Sequence, residues 1–372
     1  MRFIESIPTS TIGIFLVSGC FQLAALSCSC PAQDIGNLSP GSSAIECPPA
    51  DGDNIGITVE VTDKSGRPVT GLGESDFKVF DNKQTQKILD FRAVDATHPP
   101  AVPLRVEIII DAVNSDALLV TQERDGLSAF LKQTSDMLAS PTTIWFLEIT
   151  GLTPIAGPSQ DRTALLTALN GAPSRLRVIN RSAGAWGADE RNHQGTDLVE
   201  EMISSESKTP GRKLVLFLSP GWPMLFNFEP DKRSSVFDDI VKISNGLRES
   251  CISLDTLDPS SFGNNFQANG PGIGRATQYE DFLKGVAKSG DAVYPDLALQ
   301  VLSEHSGGQV IIDGNDIKSE IDTALRGASA WYDLVIERAP GGHATEYHAI
   351  QVAVDKPHVK VRTTAGYYVS GP

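Results

Sequence analysis

Val106-Glu107-Ile108-Ile109-Ile110-Asp111-Ala112-Val113-Asn114-Ser115 is the stretch on which the fold turns. From Val106 to Ile110 only Glu107 interrupts the apolar run, the pattern of a strand covered on both faces within a parallel sheet. The run then breaks into a polar loop, and residues 118–138 take up helical spacing. Leu119, Leu127, Phe130, Leu131, Met137 and Leu138 fall close to one face.

Working outward, the same alternation repeats. Strands are expected at 144–149, 213–218, 252–257 and 310–312, with 152–155 returning antiparallel beside the first. Asp161 caps a short helix over Leu165, Leu166 and Leu169, and Thr196 precedes a helix through Leu198, Val199, Met202 and Ile203. Further helices are expected over 231–247, 279–287, 296–305 and 316–325. Alternating β and α implies an α/β domain over 102–328: a doubly wound, mostly parallel sheet with helices on both faces. The strands at 106–110, 144–147, 213–218 and 252–257 should be neighbours or near neighbours.

Both flanks change character. Ile57, Val59 and Val61 alternate with Thr58, Glu60 and Thr62, and Asp63-Lys64-Ser65-Gly66 is turn chemistry. With strands at 77–80 and 87–91, residues 55–96 form a small β unit, joined through the stiff stretch His98-Pro99-Pro100. Residues 329–372 form a second β segment, with strands at 332–336, 348–354 and 359–363. Neither has the apolar residues for a core of its own, so the two should pack on each other.

The chain has 372 residues, with 31 Lys plus Arg against 46 Asp plus Glu, a formal net charge of −15. Such a surface repels a phosphate backbone, and no basic run offsets it, which disfavours nucleic acid as a partner. Residues 1–32 read as a secretory signal, with an apolar stretch from Ile12 to Leu26 too short and interrupted to span a bilayer, followed by small residues. Cleavage is expected near 27–32. Val17-Ser18-Gly19-Cys20 resembles a lipobox, so a lipid anchor at Cys20 is the alternative, and an uncleaved anchor a third. No later segment has the length of a transmembrane helix. Each reading puts the mature chain outside the cytoplasm, in the periplasm, on the cell envelope or secreted. Residues 33–54, rich in Gly, Pro, Ser and Asp, read as a flexible linker. Once the leader is gone, Cys47 and Cys251 remain, either joined in one disulfide or separate, with Cys251 buried at the start of a strand.

The order of elements resembles that of a von Willebrand factor type A domain, and the chain as a whole resembles the acidobacterial branch of exported proteins of that type. The motifs are Val61-Thr62-Asp63-Lys64-Ser65-Gly66-Arg67-Pro68 with Asp76-Phe77, Gly211-Arg212-Lys213 with Ser219-Pro220-Gly221-Trp222-Pro223, and Val359-Lys360-Val361-Arg362 with Gly366-Tyr367-Tyr368. The resemblance covers about residues 55–370. It implies a metal-ion-dependent adhesion site at the C-terminal edge of the sheet, where three loops converge on a hard cation such as Mg²⁺.

The first loop of such a site reads Asp-x-Ser-x-Ser. Here Asp111 and Ser115 match, while Val113 replaces a hydroxyl with methyl groups. Thr196, after Gly195, matches the threonine of the second loop. In the third, Pro220 stands where the family has an aspartate. The resemblance therefore implies a degenerate site built on Asp111, Ser115 and Thr196, with Mg²⁺ bound only weakly, in the millimolar range or above. Asn114, Asp116 and Asp197 are candidate substitutes there. With Trp222 and the loop over 260–274 they are also candidates for contacting a protein partner of the cell envelope, and the aromatic pair Trp222 and Phe226 would anchor it if exposed.

The implied function is that of a non-catalytic, exported protein-binding module. The alternative is a hydrolase or peptidase-like envelope enzyme, although neither Gly-x-Ser-x-Gly nor His-Glu-x-x-His occurs. His343 and His348 read as solvated or edge-strand positions, and Gly270-Pro271-Gly272-Ile273-Gly274 as a plain loop.

Overall fold

Three sheets organise the chain in a computed structural model that describes residues 54–369, apart from 134, 136, 174–183, 223–231, 261–278, 313–315 and 340–343. Of residues 184–186, 188 and 189 only the backbone is described. The expectations for the leader, Cys20, Cys47, Phe226, His343 and most of the 260–274 loop lie outside the described residues.

The central sheet is α/β. Its strands are β5 (Arg105–Asp111), β6 (Met137–Glu148), β7 (Gly151–Asp161), β8 (Lys213–Leu218), β9 (Ile252–Asp258) and β10 (Val310–Ile312). They lie in the order β10-β9-β8-β5-β6-β7, all parallel except β7, which returns antiparallel on β6. The four strands expected to be neighbours are consecutive in this order.

Alternate residues of each strand feed opposite faces. Ile108, Ile110, Leu214, Leu216 and Leu218 pack with Val120 and Leu127 of α1 (Ala117–Leu131), Leu165 and Leu169 of α2 (Arg162–Gly171) and Ile321 of α6 (Ile317–Gly327). Ile109, Val215 and Phe217 pack on the other side. Their partners are Leu198 and Val199 of α3 (Gly184–Glu206), Ile240 and Ile243 of α4 (Arg233–Glu249) and Leu299 of α5 (Leu299–His305). Strands buried on both faces are what the uninterrupted apolar runs encode.

Two four-stranded sheets complete the chain, and each mixes strands from both flanks. In the first, β1 (Asn54–Asp63) lies between β13 (Val359–Thr363) and β11 (Trp331–Glu337), with β4 (Ile88–Val94) beyond β11. In the second, β12 (Tyr347–Val354) lies between β14 (Gly366–Tyr368) and β2 (Phe77–Asp81), with β3 (Gln84–Gln86) at the edge. Ile57, Val59, Val61, Phe77, Val79, Leu334, Ile336, Ile350 and Tyr367 share one buried cluster. Each flank thus supplies the other's core.

Four expectations need correction. The helix over 118–138 stops at Leu131, and Met137 and Leu138 already belong to β6, where Leu138 turns into the core. Around 279–287 only a short 3-10 turn forms, Tyr279–Phe282. Residues 294–297 form another such turn, so the helix expected over 296–305 begins at Leu299. Thr196 does not precede a helix, because α3 already runs from Gly184.

The motif residues at the base of β8 have structural work to do. Gly211 sits at φ +85°, where a Cβ would strike Val102. Arg212 pairs with Glu60 and lies 5.1 Å over the Trp331 ring, joining the α/β sheet to the β-sandwich. Lys213 is buried and donates from Nζ to the carbonyls of Glu206, Thr209 and Ser250, so one cation serves the C-termini of α3 and α4. Cys251, between α4 and β9, is disulfide-bonded. The other four cysteines of the sequence, at 20, 28, 30 and 47, precede the described residues.

Candidate functional site

The loops after β5 and β8 meet at the C-terminal edge of the central sheet, as parallel neighbours must. Asp111 ends β5, is 1 % exposed, and has both carboxylate oxygens occupied. Oδ1 accepts the backbone N–H groups of Val113 and Asn114, both at 2.9 Å. Oδ2 accepts the Asn114 side-chain amide at 2.8 Å and the Ser219 hydroxyl at 2.7 Å. Burial nevertheless pushes its pKa up, outweighing the donors. Ser219 directly follows β8, and its Oγ in turn accepts the Gly221 N–H at 2.9 Å. It is the partner that sequence reasoning passed over in favour of Pro220, yet a serine one residue past a buried parallel strand is well placed to meet the neighbouring loop.

Ser115 is also buried, and its hydroxyl donates to Glu123 Oε1 at 2.8 Å. Glu123, on α1, is fully buried, and burial raises its pKa well above the carboxylate range, helped by the nearby charges of Asp111, Asp258 and Asp116. Val113 joins the core beside Leu198, Val199 and Trp222. Asp116 is exposed and caps α1, accepting the Leu119 N–H at 2.9 Å. Asp197 is exposed on α3.

Thr196 departs furthest from expectation. It lies within α3, and its hydroxyl donates back to the carbonyls of Asn192 at 3.2 Å and His193 at 3.0 Å, the usual resort of a mid-helix threonine. Gly195 before it allows helix and loop to touch, because a Cβ there would lie 2.4 Å from the Trp222 ring. Trp222 itself is 1 % exposed, donates its indole N–H to the Leu297 carbonyl at 2.9 Å, and packs edge-on to Phe217. It is a core residue and not an exposed anchor. Gln300, fully buried, donates to the Pro220 carbonyl at 2.9 Å and fills the space beside Gly221.

Asp111, Asn114, Ser115 and Ser219 are therefore brought together, while the Thr196 hydroxyl is spent within its own helix. A divalent ion wants about six oxygens, several of them charged. Among the described residues no group of three or more His, Cys, Asp or Glu is arranged to hold one.

The arrangement nearest to acid–base chemistry was not anticipated and lies elsewhere, inside the β-sandwich. His348 Nδ1 is 2.8 Å from Asp81 Oδ1, and the Tyr367 hydroxyl donates to Asp81 Oδ2 at 2.7 Å. The two rings stack at 4.9 Å. His348 is 3 % exposed on an interior strand, so the expectation of a solvated or edge position is wrong, and Asp81 and Tyr367 are buried with it.

No family model matches the chain, and no curated protein does. Among solved structures it is similar to the human COPII-coat protein Sec24c, with 6 % identity over 72 % of this chain and 44 % of that one and a TM-score of 0.29. The chain thus spans less than half of that protein, and at this score the likeness carries no argument.

Proposed function

We propose that the chain is an exported, non-catalytic protein-binding module of the von Willebrand factor A type whose metal-ion-dependent site is degenerate. The observation that carries this reading is the saturation of Asp111. Its four hydrogen bonds come from Val113, Asn114 and Ser219, so the Asn114 amide and Ser219 hydroxyl occupy the directions from which a cation would approach. Val113 and Pro220 supply no side-chain oxygen, and the Ser115 and Thr196 hydroxyls are engaged with Glu123 and the α3 backbone.

An apolar N-terminal segment followed by small residues supports export, as does the disulfide at Cys251, since such bonds persist in oxidising compartments. Among the described residues no helix is long and apolar enough to cross a membrane. The surface offered to a partner of the cell envelope is the C-terminal edge, with Asp116 exposed there and Asn114 just beneath, together with Asp197 exposed on α3.

Calorimetric titration with Mg²⁺, Mn²⁺ and Ca²⁺ tests the site. The expected dissociation constants are on the order of millimolar or weaker, the range of the weakest Ca²⁺ modules. Micromolar binding that disappears in Asp111→Ala would overturn the reading of the site as degenerate. Capture from envelope extract, comparing the wild type with Asp116→Lys/Asp197→Lys, tests the binding face, and equal capture by both would overturn its placement.

A further inference from the structure

Cys251 stands where a cysteine is unfavourable. It directly follows the C-cap of α4 and takes φ +52°, the left-handed conformation that ends many helices and that glycine adopts without steric cost. Its N–H donates to the Arg248 carbonyl at 3.0 Å, and its carbonyl accepts the Lys213 N–H at 2.9 Å, so the turn fixes the residue between α4 and β8. A side chain kept against the backbone preference points to a use, and here the thiol is spent in a disulfide.

The half-buried Cys251 lies at the seam between sandwich and central sheet, in the walls of two small cavities. Gly56 and Thr58 of β1 line the first with it, and Thr58, Arg212 and Trp331 the second. The chain enters β1 at Asn54, two residues before Gly56, and the segment leading there carries all four other cysteines. Seven steps of chain separate Cys47 from Asn54 and reach about 25 Å at most, ample for a wall shared with Gly56. Cys30, 24 steps from Asn54, reaches as well. The effective concentration of a tethered group falls as about the −3/2 power of tether length, however, which favours Cys47 about sixfold.

We propose that Cys47 is the partner of Cys251, and that their bond is a strap holding the entry to β1 against the base of the central sheet. The closed loop takes in β1 to β8, so the strap joins sandwich and sheet covalently at the seam where Arg212 and Glu60 join them by charge. Closing it converts two thiols to one disulfide. Two protons leave, and two electrons pass by thiol–disulfide exchange to a small-molecule or protein disulfide, which is released as its dithiol form.

The test refolds the full-length chain from urea in a glutathione redox buffer, with glutathione disulfide as oxidant. Remaining thiols are then alkylated and the unreduced peptides mapped by mass spectrometry. The expected product is a cross-linked pair of peptides carrying Cys47 and Cys251. Cys251 joined chiefly to Cys20, Cys28 or Cys30, or recovered as an alkylated thiol, would overturn the proposal. Export plays no part in this experiment, so its failure counts against the strap and leaves the reading of the leader untouched. Urea unfolding of the oxidised chain gives a second readout. Cys47→Ser and Cys251→Ser should each lower the folding equilibrium constant about a hundredfold, and the double variant no further, because one bond is lost in all three. Wild-type stability in Cys47→Ser would overturn the proposal. Should the variants fail to fold, the wild-type peptide map decides alone.

Discussion

At the scale of single residues, Asp111 separates two views of the site. A carboxylate kept for a metal is a burden to the metal-free fold, and its removal relieves strain. One that organises a loop through four hydrogen bonds leaves buried donors unpaired when it is lost. Asp111→Ala should therefore destabilise the metal-free chain by about 3 kcal/mol, measured by urea unfolding in chelator, because each orphaned buried donor costs on the order of 1–3 kcal/mol. Trp222→Ala should cost about 3–5 kcal/mol, as for other fully buried aromatics. Retention of full stability by the Trp222 variant would contradict its place in the core. The sequence showed Asp111, Ser115 and the absence of ligands at Val113 and Pro220. It did not show the Ser219 contact, because that bond joins loops 108 residues apart. For Trp222 the sequence favours core packing over an exposed anchor without deciding between them, and the structure has it in the core.

At the scale of elements, α3 is the informative case. The spacing Leu198, Val199, Met202 and Ile203 marks its apolar face, but residues before Thr196 are too polar to extend that pattern by periodicity. The helix continues there because Gly195 lets it pack against Trp222, a tertiary contact that local sequence does not encode. Gly195→Ala improves helix propensity yet drives a methyl group into the indole, so it should destabilise by about 1–3 kcal/mol, as overpacking does. A gain in stability would mean that the helix and the Trp222 loop are further apart than 2.4 Å allows. The strands of the central sheet were legible because burial on both faces writes a continuous apolar run. The sheet's outer edge is guarded differently: β7 carries Pro154 and Pro158, which cannot donate to another strand.

At the scale of the whole molecule, the two flanks are one structure. β1 has no neighbour from its own flank and is paired on both sides by strands from the C-terminal one. A chain ending at residue 328 loses β11 to β14 and leaves Ile57, Val59 and Val61 open to water. Such a truncation should be insoluble or show 55–95 digested at once by protease, whereas soluble, protease-resistant protein would contradict the shared core. The need for joint packing was readable from how few apolar residues each flank has, but the interleaved strand order was not, because period-two alternation names a strand's faces and not its neighbours. The pairing has a consequence in time. Thr58 and Asp333, whose side chains meet at 3.1 Å, are 275 positions apart. Contacts that distant form slowly, after loop closure has been met by other interactions. A chain made from its amino end therefore has β1 waiting, both edges bare until β11 has emerged and one bare until β13 follows, while the central sheet can assemble in the interval. During synthesis β1, the earliest of the described strands, is among the last to find its partners, which makes it a segment with much to gain from a chaperone.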